Sequence, residues 1–199
     1  MNKKIAQYSA LAAIASMTLP LACTPDKNPS IEDNIEDTIL NKTITSVGTP
    51  TDFSIHDSLD INNDSKADFD FFLDGGIYGA VTFANCNIDE LNGSGNILTS
   101  PQLFDGLSIP VAIAKNLNDT IESSSLNFTK YCYFANKYNA NIVGFAGTGD
   151  KYLGFRFKAN DGTHYGWMKV SLTADYRAIT IKDIAYDKRA NSPIAVGAK

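Results

Sequence analysis

The chain is poor in the residues that build most metal and nucleophile centres, with 3 Cys, 2 His and 1 Trp among 199 residues. His56 and His164 stand far apart without ligand spacing, and no Gly-x-Ser-x-Gly elbow accompanies them. Zinc-type clusters and His-based triads therefore have no sequence signal. Basic residues are also short: 17 Lys and Arg face 22 Asp and Glu. Nucleic acid, which is held by releasing counterions from phosphates onto a cationic surface, is excluded as an expected partner. A helix-length amphipathic stretch is hard to find. An uninterrupted apolar run of roughly 20 residues, the length a membrane-spanning helix needs, is missing too.

What is present begins with an export signal. Lys3 and Lys4 precede an apolar stretch through Ile5, Ala10 to Ala15 and Met17, which ends Leu19-Pro20-Leu21-Ala22-Cys23. Gln7, Tyr8, Ser9, Ser16, Thr18 and Pro20 interrupt it, so residues 1–22 read as a cleavable signal rather than a span. The Leu-Ala-Cys ending resembles the lipobox of bacterial lipoproteins, in which the Cys becomes the lipidated first residue; Pro20 departs from that pattern. The resemblance implies lipidation of Cys23, a membrane contact through that lipid, and a place in the cell envelope, at the outer membrane or cell surface. Cleavage by ordinary signal peptidase, leaving Cys23 free, is the alternative. Loss of the signal leaves 15 Lys and Arg against 22 Asp and Glu, about seven net negative charges.

Residues 23–50 open Pro25-Asp26-Lys27-Asn28-Pro29-Ser30 and continue through Glu32, Asp33, Glu36 and Asp37, with few apolar residues. This composition predicts a flexible tether, although Thr38 to Ile44 has the character of an edge strand. Residues 51–199 then show short apolar runs separated by Asn, Asp, Gly and Ser clusters. The expected fold is all-β, one antiparallel β-sandwich or jelly-roll-like domain. One hairpin can be placed in register: an Asp161-Gly162 turn pairs Asn160 with Thr163, Phe155 with Met168 and Leu153 with Val170. Cys86 and Cys132 are an even pair in an exported chain and are expected to form a disulfide. That bridge would close a loop of about 47 residues and contribute roughly 4 kcal/mol in the chain-entropy picture. Two separate buried thiols are the other reading.

The run His164-Tyr165-Gly166-Trp167-Met168-Lys169-Val170-Ser171-Leu172, followed by Ile179-Thr180-Ile181-Lys182-Asp183-Ile184-Ala185-Tyr186, resembles a C-terminal block of uncharacterised secreted bacterial proteins. Tyr152 to Phe157, Pro193 to Gly197 and Leu59 to Asp64 fit the same likeness. It implies an extracytoplasmic β domain and carries no activity to transfer.

Two candidate sites stand out. Asp60, Asn62, Asp64 and Asp68 place oxygens at positions 1, 3, 5 and 9 of a calcium-loop pattern, which suits a hard cation. Ser65 replaces the turn Gly and Phe71 the bidentate Glu, so a solvated Asx turn is the plainer reading. Tyr152, Arg156, Tyr165 and Trp167 share the second face of the hairpin, where they would form a sugar-stacking platform unless another layer covers them. Asp68 and Asp70 are expected on one strand face, as a carboxylate pair for glycoside chemistry would require. The function that follows is an envelope lipoprotein acting as a binding or structural module toward a glycan or surface protein. The alternative is a secreted carbohydrate-active hydrolase.

Overall fold

Alternation decides the architecture. Phe69, Phe71 and Leu73 are fully buried, while Asp70, Phe72 and Asp74 between them stay partly exposed, the period of two that a half-covered strand imposes. The computed structural model describes residues 34–199 apart from residues 92, 94 and 126, and it is all-β. The strands are β1 Ile35–Thr45, β2 Val47–Thr49, β3 Asp52–Leu59, β4 Phe69–Tyr78, β5 Val81–Glu90, β6 Gly95–Phe104, β7 Leu107–Ala112 and β8 Ala114–Lys115. They continue as β9 Thr120–Ile121, β10 Phe128–Thr129, β11 Tyr131–Tyr138, β12 Asn141–Gly144, β13 Lys151–Ala159, β14 Gly162–Leu172, β15 Ala178–Asp187 and β16 Ile194–Ala195. No helix among the described residues is long and apolar enough to cross a membrane.

One mixed sheet in the order β1-β15-β14-β13-β6-β7-β11-β5-β4-β3-β2 curls until it is nearly closed into a barrel, and β9 with β16 forms a small second sheet. Strand β6 turns the corner: Gly95 to Ile97 pair with β13, and Thr99 to Phe104 pair with β7. The two halves close on one core, with Phe69 edge-on to Phe155 at 5.9 Å and Phe71 edge-on to Phe134 at 6.0 Å. Each such side chain contributes about 1.5–3 kcal/mol by leaving water. Across the remaining seam, Lys42 of β1 donates to the Ser58 carbonyl and pairs with Asp57 of β3, both at 2.9 Å.

Four expectations need amendment. The β sheet starts at Ile35, because β1 pairs with β15 from Ile35 opposite Asp187 to Thr45 opposite Ala178; the edge strand extends into what reads as tether. The β13–β14 hairpin turns on Asn160 and Asp161, pairing Ala159 with Gly162 and Phe155 with Gly166. Gly162 takes the last turn position at φ +145°, where an added Cβ would also meet Ala190 at 2.8 Å. The register moves by an even step, so Leu153, Phe155 and Phe157 keep the core face.

Cys86 and Cys132 are free and buried rather than bonded. They lie on neighbouring strands, but Cys86 stands opposite Ala135 and Cys132 opposite Ile88, offset across a bulge between Tyr133 and Ala135. Burial pushes both thiols up, away from the reactive thiolate. Finally, the second face of the β13–β14 hairpin is covered. Ile121 of β9, with Ile194 and Val196 at the C-terminal end, packs on Tyr165 and Trp167, which are 3% and 1% exposed.

Candidate functional site

Two polar connections meet at one pole of the barrel. The first joins β3 to β4 through residues 60–68 and is closed by its own side chains. The Asp60 carboxylate accepts the amides of Asp64 at 3.3 Å and Ser65 at 2.8 Å, Asn62 Oδ1 accepts Asp64 N at 3.1 Å, and Asp64 accepts Lys66 N at 2.9 Å. These are stacked Asx turns. They let Asn63 and Ser65 adopt φ +56° and +69°, a region side chains other than Asn and Asp seldom visit. Asp68 is turned inward, 3% exposed, and accepts Ile61 N at 2.9 Å. The four residues of the calcium pattern thus share one loop, each with an oxygen on a backbone amide. No group of three or more His, Cys, Asp or Glu among the described residues gathers where it could hold a metal.

The second connection is the Asn160-Asp161 turn. Its anchor is His164, buried, stacked on Phe157 at 5.2 Å and hydrogen-bonded through Nδ1 to the Asp187 carbonyl at 2.8 Å. A carbonyl only accepts, so Nδ1 is the donor. Nε2 lies 2.9 Å from Asp161 Oδ1, and this bond holds the Asp161 carboxyl below its ordinary value. Asp187 is itself buried. Burial raises its carboxyl, but the Arg189 side chain and amide outweigh that and hold it down, through contacts of 3.0, 2.7 and 2.8 Å.

Between the two connections lies a cleft of about 590 Å³, the largest of the described cavities, lined by Asn62, Asp64, Lys66, Ala67 and Asp68 on one side and Lys158, Ala159, Asn160 and Asp161 on the other, with Gly93 at its edge. That volume falls within the range of small-molecule sites. No protein-family model, curated protein or solved structure matches the chain.

Three of the calcium-pattern residues, Asn62, Asp64 and Asp68, line this cleft. The second sequence-predicted group lies elsewhere. Tyr152 meets Trp167 edge-on at 5.6 Å, Arg156 lies over Phe128 at 4.5 Å and donates to Asn96 at 2.9 Å, and Tyr165 packs on Phe128. Tyr165 and Trp167 are buried beneath β9 and β16 with Tyr152 packed against them, and Arg156 is held by Phe128 and Asn96, so Tyr165 and Trp167 offer no open stacking face. Cys23 lies outside the described residues. Asp70 points outward from β4, its opposite neighbour is Asp89 of β5, and His56 Nδ1 lies 3.6 Å away beside a groove of about 400 Å³. Burial, then the Asp70 charge, raises the Asp89 carboxyl. Sequence reasoning missed Lys66, Lys158 and Asn160 as site residues. Both turns carry local signals, but no local signal says that they converge.

Proposed function

We propose that this chain is an exported, lipid-anchored envelope protein whose β domain is a binding module, with the 590 Å³ cleft as the place where a glycan-like polar ligand sits. The carrying observation is the convergence of the 60–68 loop and the Asn160-Asp161 turn on that cleft. Rigid strands present both, the usual arrangement for binding loops on a scaffold. Retention through Cys23 is supported by the Leu-Ala-Cys ending after the apolar run. Residues 24–34 then span at most about 40 Å, and Ile35 pairs with Asp187, the residue whose carbonyl holds His164. Anchoring at Cys23 keeps the cleft pole near the membrane.

Binding is favoured over hydrolysis because two of the cleft's carboxyls are already committed to protein donors. Asp161 is held down by His164, and Asp68 is buried on an amide. A general acid for glycoside cleavage needs the reverse. A glycan array with the full chain tests the reading: retention of a glycan without product release is expected, and product release lost on substitution of Asp64 or Asp161 would replace it with the hydrolase. Cys23→Ala is expected to shift the protein from the membrane fraction to the aqueous fraction. Wild-type protein found in the aqueous phase would end the lipid proposal.

A further inference from the structure

We infer that the cleft takes an acidic saccharide, a hydroxyl-rich ligand carrying a carboxylate or phosphate, gripped between Lys66 and Lys158; this deepens the binding-module reading and rests on it. Every acidic side chain of the lining already has a protein donor. Asp64 accepts Lys66 N, Asp68 accepts Ile61 N, and Asp161 is bonded to His164. The two ammonium groups have none: no carboxylate among the described residues lies within 4 Å of Lys66 or Lys158, although Asp64, Asp68 and Asp161 line the same cavity. Elsewhere Lys42, Lys130, Lys169, Lys182, Lys188 and Lys199 each reach a carboxylate; Lys115, Lys137 and Lys151 do not, but of the five described lysines without an ion pair only Lys66 and Lys158 line a described cavity. In a chain with more acids than bases, two unmatched cations on opposite lips of the main cleft mark a place for an external oxyanion. Lysine serves such a group as a mobile point charge.

The rest of the lining says what the oxyanion is attached to. The amides of Asn62 and Asn160, and the carboxylate oxygens of Asp64 and Asp161 not already bonded, offer donors and acceptors suited to hydroxyls. Those carboxylates would repel a bare anion, whereas sugar hydroxyls satisfy them. No aromatic side chain among the described residues lines the cleft, so recognition runs on charge and hydrogen bonds rather than stacking, and it weakens as salt screens the exposed lysines.

The test uses the full chain recovered from the envelope in detergent, titrated with trigalacturonate, its neutral methyl ester, glucose 6-phosphate and inorganic phosphate. A charge-assisted bond predicts that the acid binds about tenfold or more tighter than its ester, and that Lys66→Gln and Lys158→Gln each remove most of that advantage. Preference for the sugar phosphate over the uronate supports the inference and names phosphate as the oxyanion. Equal binding of acid and ester, affinity indifferent to both substitutions, or bare phosphate matching the sugar phosphate overturns the inference while leaving a binding module. Failure of the wild type to bind any saccharide overturns both. Unchanged unfolding midpoints of the two variants establish that a lost affinity is not lost structure.

Discussion

The barrel has two poles, both made by hairpin-like connections between strands, and their chemistry is opposite. At the cleft pole the connections carry Asp, Asn and Lys whose oxygens tie up backbone amides. At the other, four turns form a row: Ile77 N donates to the Thr51 carbonyl at 3.0 Å, Asn139 N to the Thr82 carbonyl at 2.7 Å, and Asn141 Nδ2 to Asp105 at 3.4 Å. These turns or their flanks carry Val47, Ile77, Tyr78, Leu103, Leu107, Tyr138 and Ile142, seven of the nine large apolar side chains left exposed among the described residues. The strands settle the fold, and each pole is free to differ because turn tips contribute little to the core.

The largest expected effect belongs to the packing under the cleft pole. Phe155 is fully buried between Phe69 and Phe157, and Gly166 lacks a side chain where a Cβ would strike its ring. Phe155→Ala is expected to cost about 3–5 kcal/mol in urea unfolding. A loss under about 1 kcal/mol would mean that the pole does not stand on this cluster.

Next comes the loop itself. Asp68→Ala strands the Ile61 amide, which is expected to cost about 1–3 kcal/mol, while Asp68→Asn keeps an acceptor and costs less. Equal losses would place the effect in packing instead. The same melts, run with chelator and then with calcium, assay the cation proposal for Asp60, Asn62, Asp64 and Asp68. A site of extracellular-module affinity adds roughly 0.4–1.4 kcal/mol at about 1 mM calcium, and coincident curves remove calcium from the loop.

These residues also show how far the sequence could be read. Strong alternation made β4, β13, β14 and β15 legible, and the Asp60 to Asp68 spacing announced a turn. Strand β6 was hidden because Pro101 and Pro110 sit opposite each other in its pairing with β7. Strand β11 was hidden because its bulge leaves Phe134 and Ala135 both fully buried, which breaks the period of two. The covering of Trp167 by β9 and β16, like the meeting of the two cleft loops, depends on contacts between segments distant in sequence, and no local pattern encodes them.

A smaller effect separates two carboxylates on electrostatic grounds. Asp70 and Asp89 oppose each other across β4 and β5, and like charges so placed destabilise a sheet. Asp89→Asn is expected to raise stability by about 0.2–1 kcal/mol near pH 7. Because the folded-state Asp89 carboxyl is raised, its favourable contribution is complete below the ordinary carboxylate value and lost as pH rises through the folded one, so the gain from Asn fades in acid. Asp187, held down, behaves in the opposite sense: its contribution is present above the ordinary value and lost as pH falls through the folded one. A gain from Asp89→Asn that persists undiminished in acid would show that relief of charge is not its cause.

The smallest effect is expected at the apolar pole, where it bears most directly on the contrast between the two ends. Leu103 and Leu107 flank the β6–β7 turn at 76% and 69% exposure, so their side chains stand largely in water whether the chain is folded or not. Replacing both with Ser removes apolar surface that folding never buried, and surface changes away from caps, cores and charge networks usually stay within about 0.5 kcal/mol. The double variant is therefore expected to unfold at the wild-type urea midpoint while binding less of a hydrophobic reporter dye, since it shrinks an exposed apolar patch. A loss above about 1.5 kcal/mol, of the size seen when a Leu leaves a core, would show that these tips pack against the domain and that the two poles differ less than their side chains suggest.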